Sequence, residues 1–116
     1  MSEIRRGEIW VVNFDPTVGR EIRKTRPAVI IQNNLGNKYS DITIVAPLTS
    51  QRIEKIYPVE VLLTFENADV ETDSKVLLNQ IRAIDKTRLI KKIGTINLAA
   101  MEQINEALKI SLGIEN

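Results

Sequence analysis

Pro27-Ala28-Val29-Ile30-Ile31-Gln32 is the stretch that decides the fold. Its run of apolar residues leaves no polar side for water, so a strand here is covered on both faces and lies inside a sheet. Short runs rich in Val, Ile and Leu surround it. Glu8-Ile9-Trp10-Val11-Val12 follows Gly7 and reads as a first strand, which makes Pro27 to Gln32 the second. Ile42-Thr43-Ile44-Val45-Ala46 is a third, ended by Pro47. Val59-Glu60-Val61-Leu62-Leu63 is a fourth, with Pro58 at a tolerated strand edge. Lys75-Val76-Leu77-Leu78, running on to Ile81, is a fifth.

The period changes near the C-terminus. Leu98, Met101, Ile104, Leu108 and Leu112 recur at three- and four-residue spacing, one apolar stripe on a helix. Asn97 is a good N-cap and Gly113 a good stop. The span Asp85 to Gly94 fits two readings. Asp85 can cap a short helix with Leu89, Ile90 and Ile93 on one face, or Leu89 to Ile96 can form a last strand after a turn at Asp85 to Arg88. The apolar spacing leans to the helix. Consecutive strands with one terminal helix give a mainly β fold, a small and strongly bent antiparallel sheet or barrel. No linker or repeat divides the chain, so residues 1–116 read as one domain. The helix stripe must be covered by that sheet or by another chain.

Composition narrows the chemistry. The chain has 116 residues, no Cys and no His. It therefore has no disulfide and no thiolate nucleophile, a structural zinc site is disfavoured, and the usual general acid–base residue is missing. Formal net charge is +1, so bulk electrostatics argues neither for nor against nucleic acid. No apolar run approaches the roughly 20 residues that span a membrane, and MSEIRRGEIW lacks the apolar core of a signal peptide. A cytoplasmic protein is expected.

Positive charge is concentrated in one place. Asp15 to Arg26 (DPTVGREIRKTR) is a twelve-residue connection between the first two strands, and connections of that length are often functional. Arg20-Glu21-Ile22-Arg23-Lys24-Thr25-Arg26 sets four cations against one anion. Arginine gives planar, permanently charged donors suited to phosphate. Charge alone favours a solvated loop over a polyanion site. Arg26 differs from its neighbours because it opens the apolar strand, and a rigid element is where a catalytic charge belongs. The bland reading is a strand-end Arg paired with a carboxylate. A second candidate is Ala46-Pro47-Leu48-Thr49-Ser50-Gln51, whose hydroxyl and amide groups can bond a phosphate or a base edge, or turn back on their own backbone. Trp10, Phe14 and Tyr39 are core residues or base-stacking surfaces. Glu66, Asp69, Glu71 and Asp73 read as a solvated acidic loop, or as a charge that keeps RNA from one edge of a groove.

Five blocks together carry a resemblance. Arg6-Gly7-Glu8-Ile9-Trp10, Asp15-Pro16-Thr17-Val18-Gly19, Arg26-Pro27-Ala28-Val29-Ile30-Ile31-Gln32-Asn33, Ala46 to Gln51, and Asp73-Ser74-Lys75-Val76-Leu77-Leu78-Asn79-Gln80-Ile81-Arg82 resemble, in order, the MazF/PemK-type toxins. These are the endoribonuclease halves of toxin–antitoxin pairs. The resemblance spans nearly the whole chain. It implies an SH3-like small barrel with a C-terminal helix, in which Leu89 to Ile96 is a strand after a short helical turn. It also implies a homodimer that cuts single-stranded RNA without a metal or cofactor, and a cognate antitoxin that occupies the RNA groove.

By position, Arg26 and Thr49 match the catalytic pair of such toxins. Arg20, Glu21, Arg23, Lys24, Ser50, Gln51 and Gln80 are the residues expected to bind RNA. The loop departs from many relatives: it keeps Glu21 but is more basic and less glycine-rich, which bears on sequence preference. The histidine some relatives carry nearby is missing. In the implied mechanism the RNA supplies its own 2′-hydroxyl nucleophile. Arg26 stabilises phosphoryl charge, and secondarily can act as an acid on the leaving oxygen; Thr49 adds a hydrogen bond. Glu21 serves either as base or as a carboxylate that orients Arg26. The products would be a 2′,3′-cyclic phosphate and a 5′-hydroxyl. The competing class is an SH3-like module that binds nucleic acid without cutting it. A protein-interaction domain is a third, and it would show no salt-dependent RNA binding.

Overall fold

The computed structural model describes residues 3–21 and 24–115. Its order is β1 (Glu8–Asn13), β2 (Thr25–Ile30), α1 (Asn34–Tyr39), β3 (Ile42–Thr49), β4 (Glu60–Leu63), β5 (Ser74–Leu77), β6 (Arg82–Asp85), β7 (Leu89–Thr95) and α2 (Leu98–Leu112). All strand pairings are antiparallel, in the order β4-β5-β3-β2-β1-β7, with β6 also on β3.

β2 is central and covered on both faces, as its composition requires. Ala28 and Ile30 pack with Trp10, Val12, Phe14, Val45 and Ile84 on one side. Val29 and Ile31 pack with Ile9, Leu48, Leu63, Leu78 and Ile104 on the other. Burying one such aliphatic side chain contributes about 1.5–3 kcal/mol. The segment after β4 then turns back to the far edge. Ala68 bridges Ile96, Asp69 N donates to Thr95 O at 3.0 Å, and Asn97 N donates to Asn67 O at 2.9 Å. The sheet is barrel-like without a continuous closing ladder.

Several boundaries differ from the sequence reading. β2 begins at Thr25, so Arg26 lies within the strand and pairs with Val12. β3 runs through Pro47 to Thr49. Pro47 is the last residue paired with β2, and Leu48 is the first paired with β5; a residue without N–H is tolerated at such a change of partner. β5 stops at Leu77, where Gln80 N turns back to Leu77 O, and β6 follows as a separate strand. β6 was missed because Arg82-Ala83-Ile84-Asp85 buries only Ile84.

Helix α1 was also unforeseen, since Asn and Gly are poor helix formers. Tertiary bonds hold it. Asn33 Oδ1 accepts from Gly36 N at 2.7 Å, and buried Asn37 accepts from Thr43 Oγ1 at 2.7 Å. Lys86 Nζ donates to Asn37 O.

Asp85 does cap a short helical turn, at Lys86–Arg88, and Leu89–Thr95 is then a strand. The apolar spacing that leaned to a helix is overruled by pairing with β1. Asn97 and Gly113 terminate α2 as expected, with Asn97 Oδ1 accepting from Ala100 N and Gly113 at φ 69°. The stripe shifts, however. Ala100, Ile104 and Ala107 are buried, while Leu98 and Leu112 are 82% and 55% exposed. Only the middle of the helix reaches the sheet, and alanines permit that close approach.

Two buried charges shape stability. Glu8 Oε1 accepts from Trp10 Nε1 at 2.9 Å and Arg5 N at 3.0 Å, while Oε2 meets Lys92 Nζ at 3.1 Å. Burial pushes the Glu8 carboxyl up, but the bonds from Trp10 and Arg5 and the Lys92 ammonium outweigh it, leaving it below its ordinary value. Lys75 Nζ lies 2.9 Å from Glu60 Oε1 and donates to Lys55 O at 3.2 Å, with side chains only 6% and 10% exposed. The same Glu60 oxygen accepts from Tyr57 N at 3.0 Å.

The folded chain holds the Glu8 proton less tightly than the unfolded chain. Its contribution is therefore full above the unfolded carboxylate value of about 4.3 and is lost as pH falls through the lower folded value. Thermal melts across that window should show a smaller acid loss for Glu8→Gln than for wild type; an identical loss contradicts the assignment. Lys75→Met strands Glu60 and should cost roughly 3–5 kcal/mol in urea unfolding, most of it recovered in Lys75→Met/Glu60→Leu. A single-variant loss below about 1 kcal/mol, the range of an exposed pair, contradicts burial of the pair.

Candidate active site

Ala28 and Pro47 are the last pair of the β2–β3 ladder, and Arg26 and Thr49 lie two residues beyond it on their strands. Both are half-buried and line one cavity of about 580 Å³. Ser50 and Gln51 line it too. Ile9, Leu48, Val70 and Ile93 give it apolar walls. Ile93 reaches the cavity from the bulge where the β1–β7 register slips between Ile9–Gly94 and Trp10–Lys92.

Thr49 is held at the strand end. It pairs with Lys75, whose buried ammonium secures the following loop through Lys55 O and Glu60. Thr49 Oγ1 accepts from Gln51 N at 3.1 Å. That bond is the local turn the residue types allow, and it leaves the O–H free to donate to a ligand.

Residues between 69 and 74 supply a further part of the lining. Asp69, Glu71, Thr72 and Ser74 line the cavity there. Asp69 Oδ2 accepts from Thr95 N at 2.9 Å and Thr95 Oγ1 at 3.3 Å. Gly94 makes this contact possible: a Cβ at 94 would sit 2.4 Å from Asp69 Cβ. The sequence allowed two readings of this stretch, a solvated acidic loop or a charge at one edge of a groove; Asp69 and Glu71 are exposed and line this cavity. The signal was the clustering of Asp and Glu; the stretch's place in the cavity with Arg26 goes with the bonding of Asp69 to the β7 edge.

The basic loop leads to a different place. Arg20, Glu21, Asn79, Gln80 and Arg82 line a second cavity of about 480 Å³. Glu21 Oε1 accepts from Val18 N at 2.8 Å. The two cavities share no lining residue, so Glu21 and Gln80 do not join Arg26 and Thr49 in one cavity. Arg23 lies outside the described residues. Lys24 is exposed at φ 65°, with its N–H on Asp15 Oδ1 at 2.9 Å.

Two arginines fasten the base of the loop. Arg82 donates to Phe14 O at 2.7 Å, and Arg88 donates to Asn13 O at 3.0 Å and to Asp15 O at 2.5 Å. Neither anchor was legible in the sequence. Trp10 and Phe14 are core residues, 9% and 1% exposed, whereas Tyr39 is 74% exposed beneath Lys38. Among the described residues, no group of three or more Asp and Glu is placed to hold a metal, and no helix is long and apolar enough to cross a membrane.

Comparison with known proteins gives a consistent answer. The family model of the PemK-like, MazF-like toxin of type II toxin–antitoxin systems matches residues 5–112. The chain is 39% identical over 111 residues to endoribonuclease EndoA of Bacillus subtilis, covering 96% of each chain. Its fold is similar to MazF from Deinococcus radiodurans, with TM-score 0.84, 24% identity, and 98% and 100% of the two chains covered. It is also similar to a mycobacterial endoribonuclease solved with its cognate antitoxin, with TM-score 0.80, 22% identity, and 97% and 98% covered. Sequence blocks, fold and family match agree: this chain belongs to the PemK-like, MazF-like toxin family of type II toxin–antitoxin systems.

Proposed function

We propose that this chain is the endoribonuclease toxin of such a pair, cutting single-stranded RNA at preferred sequences without a metal. The observation that carries the reading is the meeting of Arg26 and Thr49 in one cavity at the ends of β2 and β3. The family match and the full-length likeness to EndoA, itself named an endoribonuclease, support it.

Chemistry at this site needs little from the protein. The RNA 2′-hydroxyl is already tethered beside the phosphate, so the protein aligns it in line with the leaving 5′-oxygen. Arg26 offers two parallel donors to the phosphoryl oxygens and stabilises charge that grows on them. Thr49 Oγ donates a further hydrogen bond, with its oxygen fixed by Gln51 N. Ser50 and Gln51 contact the same nucleotide, and a flanking nucleotide occupies the second cavity with Arg20, Glu21 and Gln80. Arg23 and Lys24 hold the RNA backbone from the loop. The working unit is a homodimer, and a cognate antitoxin blocks the RNA path, as the antitoxin-bound fold relative suggests. The chain acts in the cytoplasm as a single domain over residues 1–116.

Cleavage of a long single-stranded RNA should persist in excess EDTA. Arg26→Ala should lower it about 100-fold or more, the scale of losing one transition-state donor, and Thr49→Ala should lower it at least tenfold. Loss of activity in EDTA contradicts metal independence. RNA binding with no cleavage by wild type would identify a binding module instead.

A further inference from the structure

The cleavage proposed above needs an acceptor for the proton of the 2′-hydroxyl. The chain has no His and no Cys. Arg26, Asp69 and Glu71 are the charged side chains lining the Arg26–Thr49 cavity. A guanidinium stays protonated and cannot take a proton. Asp69 is committed to β7: one carboxylate oxygen holds Thr95 N and Oγ1, and its Cβ is packed over Gly94. Glu21 lies in the second cavity, bonded to Val18 N. That leaves Glu71. It is exposed and carries no hydrogen bond or ion pair to another described residue. Its backbone is nevertheless held on a short tether. Asp69 is fixed to β7 on one side, and Ser74 begins β5 on the other, with Ser74 Oγ donating to Thr72 O at 2.9 Å.

We propose that Glu71 is the general base of the reaction, an inference that rests on the endoribonuclease reading. Glu71 lines the same cavity as Arg26 and Thr49, and its carboxylate acts there. The 2′-hydroxyl proton passes to Glu71 as the O2′–P bond forms and the P–O5′ bond breaks. The leaving 5′-oxygen takes a proton from water, and Glu71 returns its own proton to solvent after product release. The products are a 2′,3′-cyclic phosphate and a 5′-hydroxyl. Arg26 meets the phosphoryl charge and Glu71 takes the proton, so two residues of one cavity divide the roles that a histidine pair performs elsewhere.

The test is steady-state cleavage of one single-stranded RNA by wild type, Glu71→Gln and Glu21→Gln across acid to neutral pH, with folding checked by thermal melts. Glu71→Gln should lower kcat about 100-fold with little change in KM, the scale of a general base. It should also abolish the fall of kcat at acid pH, where a carboxylate base takes up its proton. Glu21→Gln should keep that acid limb. An unchanged kcat and acid limb in Glu71→Gln overturns the proposal. So does a changed cleavage sequence or KM with the limb intact, which would make Glu71 a base-reading residue. Absence of cleavage by wild type overturns the endoribonuclease reading instead.

Discussion

Everything in this fold depends on burying both faces of β2. The strand is apolar on each side, so one layer of side chains must cover Ala28 and Ile30 and another must cover Val29 and Ile31. β1 and β3 satisfy its edges, and the rest of the chain supplies the two coverings. A strand fixed on four sides has little freedom. Its first residues inherit that rigidity, and Arg26 is among them. Thr49 lies just past the end of the same ladder, on the strand shared between β2 and β5, and lines one cavity with Arg26. The placement of this pair is thus a by-product of core packing, and a rigid element is what holds side chains in fixed positions.

Charge is arranged unevenly around this rigid pair. Net charge is near zero, and the first cavity itself opposes one arginine to two carboxylates. A uniformly basic cavity would hold any polyanion. A cavity with a single cation offers phosphate one place to pair. Basic residues cluster on the loop between β1 and β2, whose base is fastened by Arg82 and Arg88. The strand-held Arg26 and the loop cations are therefore on different elements.

Much of this was legible beforehand, for reasons that differ by element. β1, β2 and α2 announce themselves through strong local signals: unbroken apolar runs, an Asn cap and a terminal Gly. An Arg opening a buried strand and a hydroxyl cluster after another are visible local features, but residue types alone favoured the bland readings, and Arg26 and Thr49 were paired only through the family resemblance. α1 and β6 were invisible because tertiary bonds stabilise them, through Asn37 in one case and pairing with β3 in the other. The acidic stretch is exposed, as read, but its place in the cavity was not legible: a pattern of Asp and Glu does not reveal that residue 69 is stitched to residue 95. Glu21 was named from the family resemblance, and it lines the second cavity together with Gln80.

The central claim is that Arg26 and Thr49 act together on one phosphate. A double-mutant cycle on kcat tests it most directly, using Arg26→Ala, Thr49→Ala and the double variant on a single RNA with binding measured alongside. Residues that act as a unit lose their effect together. The account predicts that the double variant is barely slower than the worse single variant, with RNA affinity largely kept. Losses that multiply, as for independent sites, would contradict it.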